Sequence, residues 1–310
     1  MSKIIHFIVV IAVLVISAGA ARAELYGLAN EEVAGLTQTN TARIISGESS
    51  LYLIDPDTGA ATLIGPTGFF FCEALDFHPI TNVLYAGCYN DIEASGTELV
   101  LVTIDVRTGK GTEIGPLNAN GILQDFSFDG HGTLFAYFVA KPGNFLATID
   151  LDTGEASEIG SSGLFGAGNG IGFGQQNELF LAQTDMIPSL YLLNQSSGLA
   201  GLVTDLTVLP LAQGVPVINS LDLNPETNVM FGSLDIVQFS YNNFLITIDT
   251  STGLVTDVGE TVEGLKAIAF INPRLSNIPT MSEYGMAAVG LSLLSIAVFV
   301  LYRRKKVAAV

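Results

Sequence analysis

LYLIDPDTGAATLIG (Leu51–Gly65) decides how this chain folds, because it comes back four times. LVTIDVRTGKGTEIG begins at Leu101, LATIDLDTGEASEIG at Leu146, LYLLNQSSGLAGLVT at Leu190 and LITIDTSTGLVTDVG at Leu245, at successive intervals of 50, 45, 44 and 55 residues. Each copy is an apolar run, a tight turn and a second run, the pattern of a β-hairpin. Asp at the head of the turn accepts hydrogen bonds from backbone N–H groups further on, and Gly at its end takes positive φ. The fourth copy carries Asn194 where the others carry Asp55, Asp105, Asp150 and Asp249. Asn keeps the accepting oxygen and drops the charge, so the position favours turn-making over cation binding. Asp55 and Asp57 echo the opening of a calcium loop, but no acid stands at the closing position such a loop needs.

A second hairpin lies between the first ones: ALDFHPITNVLYA from Ala74, DFSFDGHGTLFAY from Asp125, GIGFGQQNELFLA from Gly170 and SLDLNPETNVMFG from Ser220. Two hairpins per period give four strands per unit, and four-stranded units repeated radially are propeller blades. AIAFINP (Ala267–Pro273) reads as a first strand without a second. LYGLA (Leu25–Ala29) reads as a second strand without a first. Joined, they complete one blade from both termini. The expectation is an all-β, five-bladed β-propeller over residues 24–275, closed by its own ends. The pattern loosely resembles the propeller-like repeat families of bacterial exported proteins.

The termini predict a destination. Residues 1–23 read as a signal peptide: Lys3, an apolar run, and Ala21 and Ala23 framing the cleavage site. Met286–Tyr302 is uncharged and long enough for a transmembrane helix, and Arg303, Arg304, Lys305 and Lys306 in the tail 303–310 hold the cytoplasmic side. Residues 276–285 form the stem between. Within it, Ile278, Pro279, Thr280, Met281, Ser282, Glu283, Tyr284 and Gly285, followed by the helix and the basic cluster, resemble the IPTL-CTERM sorting signal of Gram-negative bacteria. Met281 stands where Leu is usual and Tyr284 where Trp is usual. The resemblance implies an exosortase-type sorting protease as partner. It also implies an inner-membrane anchor with the ectodomain outside the cytoplasm, released or moved to the cell envelope or surface if the box is cut.

Between Glu24 and Glu283 there are 30 acidic and six basic residues, a net charge of −24. Such a surface repels nucleic acid and anionic lipid. Cys72 and Cys88, the only cysteines, are equidistant from Ile80 in the turn of FCEALDFHPITNVLYAGC, which predicts a disulfide across adjacent strands.

The short turns within the two hairpins fall on one face of a propeller, and the variable connections fall on the other. Ligand sites develop on variable loops held by a rigid scaffold. The candidates there are Phe69, Phe70, Phe71, Tyr89, Asp91, Glu93, Asp185, Asp235 and Tyr241, read either as a ligand face or as solvated loops with aromatic plugs. His78 and His131 read as turn residues, and no nucleophile or metal motif is present. Along the first strands one register reads Asp76, Ser127, Gly172, Asp222, Ala269. These readings lead to an exported, non-enzymatic module without cofactor, binding a protein, glycan or matrix component. The alternative is a hydrolase or lyase using Asp76 and Asp222 at the axis, with calcium.

Overall fold

Every regular element among the described residues of the computed structural model is a β-strand. Those residues are 22–30, 47–91, 98–166, 169–184, 188–207, 215–237 and 243–272. The strands are β1 (Leu25–Asn30), β2 (Glu48–Ile54), β3 (Ala61–Phe77), β4 (Leu84–Tyr89), β5 (Leu99–Ile104), β6 (Gly111–Pro116), β7 (Ile122–Phe128), β8 (Leu134–Val139), β9 (Phe145–Ile149) and β10 (Ala156–Ser161). They continue as β11 (Asn169–Phe173), β12 (Leu179–Gln183), β13 (Ser189–Leu193), β14 (Ala200–Asp205), β15 (Val215–Leu223), β16 (Met230–Val237), β17 (Asn243–Ile248), β18 (Val255–Glu260) and β19 (Leu265–Phe270). Among these residues no helix is long and apolar enough to cross a membrane, and the expected span at 286–302 lies outside them.

The pairing follows the double repeat. β7-β8-β9-β10 is one antiparallel four-stranded sheet. β11-β12-β13-β14 and β15-β16-β17-β18 are two more, linked by a single parallel bridge between Asn169 and Ile218. The last sheet reads β19-β1-β2-β3-β4-β5-β6. It holds two four-stranded units, because the start of β3 pairs with β2 and its end pairs with β4. β1 pairs with β19 from Leu25↔Phe270 to Leu28↔Ala267, so the two ends of the repeat region share one sheet, as their sequences predict.

Apolar clusters cement each unit to the next. Leu28 and Leu51 pack with Leu75 and Val102; Ala74 and Leu101 with Phe126 and Phe138; Tyr137 and Leu146 with Ile171 and Leu181. Phe180 and Leu190 pack with Leu221 and Ile246, and Phe231 and Leu245 return to Leu25, Ile54 and Ile268. The sequence of clusters closes on its starting sheet. Turn glycines belong to the same contacts. Gly109 has φ +79, and a Cβ there would meet the Gly65 carbonyl oxygen of the preceding unit. Gly154 stands in the same relation to Gly115, and Gly198 to Gly160. The glycine is required both by the turn and by the approach of the next unit.

Turn-making by the repeated Asp holds in atomic detail. Asp55 Oδ1 accepts from Asp57 N–H at 2.8 Å, Asp105 Oδ1 from Arg107 N–H at 2.8 Å, and Asn194 Oδ1 from Ser196 N–H at 3.0 Å. Bonds of this kind from Thr153 and Asp152 hold the Asp150 carboxyl below its usual range, and at Asp249 the Ser251 hydroxyl does so first, with the Ser251 N–H and Thr252 adding to it.

Cys72 and Cys88 form the expected disulfide, but the hairpin does not fold about Ile80. Phe77 pairs with Leu84 and His78 N–H donates to the Val83 carbonyl, which centres the turn between Ile80 and Thr81. That register alone would bring Cys72 opposite Tyr89. An irregularity between Phe70 and Ala74, where Phe71 takes φ +43, shifts the strand and brings the two sulfurs together. Replacing both cysteines by Ser is expected to cost about 3 kcal/mol, since the bond closes a loop of sequence separation 16. The expected fall in Tm is roughly 6–12 °C. Reductant should lower the wild-type Tm to the same value and leave that of the double variant unchanged.

Candidate functional site

The first strands of the units meet around one axis. β19 touches β3, β3 touches β7, β7 touches β11, β11 touches β15, and β15 touches β19. Inner edges cannot all ladder with one another, so their N–H groups need other acceptors. Carboxylates supply them. Asp76 Oδ1 accepts from Phe77 N–H at 2.6 Å, while Oδ2 accepts from Phe128 N–H at 2.7 Å and from the Ser127 hydroxyl at 3.1 Å. Asp222 repeats the arrangement, accepting from Leu223 N–H and from Phe270 N–H of the following unit. Asp125, fully buried, spans further. It accepts from Phe126 N–H at 2.9 Å, Ile171 N–H at 3.0 Å and Leu221 N–H at 3.3 Å, on three different strands. The Ser220 hydroxyl takes Ile268 N–H.

Burial raises these carboxyls more strongly than the N–H bonds lower them. Asp76 is pushed up to about 7. Asp125 rises well above its usual value through burial, and Asp222 does so through burial and then the Asp76 charge. Asp76 and Asp222 line a cavity of about 490 Å³ that opens on the face of the short turns, with Asp129, His131, Gln175, Asn228 and Asn272 around it. His131 Nδ1 stands 3.4 Å from Asp129 Oδ2. His78 is a turn residue, with its Nδ1 accepting from Ile80 N–H at 3.2 Å. This cavity lies on the face opposite the variable connections.

The other end of the axis carries a different set. The residue preceding each aligned inner segment is Glu73, Gln124, Asn169, Asn219 or Lys266, polar in every unit. Glu73 Oε1 accepts from Asn30 Nδ2 at 3.4 Å. Its carboxyl is raised by burial, against the lowering effects of Lys266 and Asn30. Lys266 Nζ stands 3.8 Å from Asp235. Tyr89 is half-buried, and its hydroxyl is raised by burial and by the Glu73 charge. Asn219 Nδ2 is buried and finds no hydrogen-bond partner among the described residues.

Two of the residues expected on the variable face, Tyr89 and Asp235, therefore converge on this end of the axis. Phe69, Phe70 and Phe71 sit inside β3, a continuous strand, where a loop was expected. Phe69 packs against the first apolar cluster, and Phe71 lies edge-on to Tyr89 at 6.5 Å. Asp91 is exposed at the end of β4. Glu93, Asp185 and Tyr241 lie outside the described residues, as do Ala21 and the entire sorting segment with Arg303, Arg304, Lys305 and Lys306. Ala23 is buried beside Leu25 and Ile54. Among the described residues no cluster of three or more His, Cys, Asp or Glu is placed to hold a metal ion. Sequence reasoning missed Asp125 and the ring of Glu73, Gln124, Asn169, Asn219 and Lys266. The ring has a signal in the repeat alignment, one polar residue directly before each inner segment.

No protein-family model matches the chain, and no curated protein matches it. Solved structures align with most of the chain. The structure of a nidogen/laminin complex aligns with a TM-score of 0.51 at 11% identity, over 81% of this chain and 99% of that one. TolB from Acinetobacter baumannii aligns at 0.44 and 13%, over 81% and 67%. A Bacteroides fragilis protein provisionally assigned as a 6-phosphogluconolactonase aligns at 0.45 and 10%, over 82% and 99%. At these identities the likeness is one of fold: an all-β protein of propeller-like, four-stranded sheets.

Proposed function

We propose that this chain is an exported five-bladed β-propeller that works as a non-enzymatic binding or structural module at the cell envelope. The observation that carries the reading is the contrast between the two ends of the axis. At one end the carboxylates are occupied by backbone N–H groups and hold the units together. At the other, Glu73, Lys266, Asp235, Asn219 and Tyr89 bring mixed chemistry beneath the variable connections. The signal peptide and the apolar, basic-ended tail export and tether the ring. An exosortase-type protease reads Ile278–Gly285.

Two measurements on the full chain in its own envelope test this. Recovery on the tagged chain should enrich an envelope protein, glycan or matrix component, and Lys266→Met with Asn219→Leu should weaken it. Scrambling the box should leave the chain in the inner-membrane fraction. A folded chain that retains no component would sink the binding role. A scrambled chain that distributes like wild type would sink the sorting role.

One observation favours a second reading. Asp76, pushed up to about 7 and so able to exchange a proton at neutral pH, lines a cavity with Asp222 and lies near the Asp129–His131 contact. In that reading the chain is a hydrolase or lyase. It requires a substrate whose turnover is lost in a folded His131→Gln variant.

A further inference from the structure

A repeated pair of rings locks the units of this chain to one another. It joins the second residue of one unit's second strand to the last residue of the next unit's first strand. Tyr26 meets Phe77, Tyr85 meets Phe128, Phe135 meets Phe173 and Phe231 meets Phe270, with centroids 5.1–5.6 Å apart and planes inclined at 63–66°. That edge-to-face geometry is one that aromatic quadrupoles prefer. The junction between the β11–β14 and β15–β18 units departs from it. There Phe180 holds the first position and Leu223 the second. Both belong to one apolar cluster, but the second ring is missing. The Phe180 ring lies against its own unit's turn instead: a Cβ at Gly174 would stand 2.7 Å from Phe180 Cε2. Where the second ring is missing, Phe180 and Leu223 line a cavity of about 470 Å³ that opens on the face of the short turns. Small-molecule sites are of this size.

The lining selects the occupant. Thr247 and Thr256 pair across β17 and β18, so both stand on one face of that hairpin, and both line the cavity. Glu178 and Asp249 bring carboxylates, and among the described residues no Lys, Arg or His lines it. An anion therefore meets like charge and no counter-charge. A plain aromatic ring would restore the stack but would bury hydroxyls and amides without partners, which costs more than stacking returns. A saccharide answers both halves of the lining. The C–H face of its ring lies on an aromatic side chain, and its hydroxyls both donate and accept. Gln175, Gln176 and Asn228 line this cavity and the axial one alike, so the two run together. We propose that this junction binds an uncharged oligosaccharide. One sugar ring sits against Phe180, in the place Phe takes at the other junctions, and further rings run toward the axis along Gln175, Gln176 and Asn228. The site lies on the face opposite the Glu73–Lys266 end and stands independently of the binding role proposed there.

The test uses the full chain in a sugar-free detergent, with binding read by isothermal titration calorimetry. Maltotetraose, cellotetraose and chitotetraose are the neutral probes, tetragalacturonate the charged one and p-cresol the aromatic one. At least one neutral tetrasaccharide should bind saturably, and tetragalacturonate should not. Leu223→Phe puts back the ring that the other junctions carry. It should weaken the saccharide more than about tenfold and leave Tm unchanged or higher. Thr247→Val with Thr256→Val keeps the side-chain shape and the strand preference and removes two hydroxyls. It should weaken the saccharide about tenfold and leave p-cresol no weaker than before. The proposal is overturned if no neutral probe binds, if tetragalacturonate binds as tightly as the neutral probes, or if p-cresol alone binds. Either variant binding the saccharide like wild type also overturns it.

Discussion

Replacing Asp125 by Ala should cost more stability than any other single truncation of a polar side chain along the axis. Three backbone N–H groups, of Phe126, Ile171 and Leu221, converge on this carboxylate, and none is within reach of water. Each buried donor left without an acceptor costs about 1–3 kcal/mol. The three together cost on the order of 5 kcal/mol, a large share of the total stability of a domain. The expected fall in Tm is roughly 10–20 °C. Asp125→Asn keeps one accepting oxygen and turns an amide donor toward the remaining N–H, so at a pH where the wild-type carboxyl is ionised it should fall about midway. Asp150→Ala provides the contrast. Its carboxylate also accepts two backbone N–H bonds, but in an exposed turn where water replaces it, and a much smaller loss is expected. Thermal unfolding followed by far-UV circular dichroism ranks the three variants. An Asp125→Ala chain that melts with Asp150→Ala would show that the axial bonds do not hold the units together.

The second large effect is on pH dependence, and its direction is opposite to ordinary acid denaturation. Asp76 at about 7, with Asp125, Asp222 and Glu73 also raised, binds protons in the folded state that the unfolded chain has released above roughly pH 4. Between pH 4 and 7 the folded state is the more protonated one, so stability falls as pH rises. Asp150 and Asp249 act the other way. Their folded pKa values are lowered, and their contribution is lost as pH falls below the usual carboxylate range. Tm should therefore peak near the unperturbed carboxylate range and decline steadily toward neutrality. Repulsion among the acidic surface groups gives a slope of the same sign, but salt screens it. The slope that remains in high salt belongs to the buried carboxyls. A Tm that rises from acid to neutral pH in high salt would show them ionised and well satisfied in the folded state.

The repeats were readable because each hairpin encodes itself locally, in an apolar run, an Asp or Asn, and a Gly. The sharing of a sheet by Leu25–Ala29 and Ala267–Phe270 was readable because each fragment lacked its mate. What sequence could not give was set by long-range contact. Asp76 and Asp222 fall in one register and invite a catalytic reading, yet their partners, Phe128 and Phe270, lie on strands of other units. Asp125 stands two positions off that register, and two of the three N–H groups it serves, those of Ile171 and Leu221, belong to strands far along the chain. The stretch Pro66–Phe71 reads as a loop from its Pro and Gly, but β2 and the Phe71 N–H bond to the Gly47 carbonyl draw it into a strand. Glu73 and Lys266 are unremarkable singly and acquire meaning only when the units are set around one axis.

The pairing of β1 with β19 also constrains when folding can finish. Leu25 meets Phe270, so this contact has nearly the greatest sequence separation the repeat region allows. Pairings of such high contact order carry the largest loop-closure entropy and form slowly. Until β19 has emerged, the first unit lacks its innermost strand and the last lacks its neighbour. A nascent chain therefore remains an open string of hairpins until its last strand is made, and the rate of the final docking step sets how long its sheet edges stay exposed to aggregation.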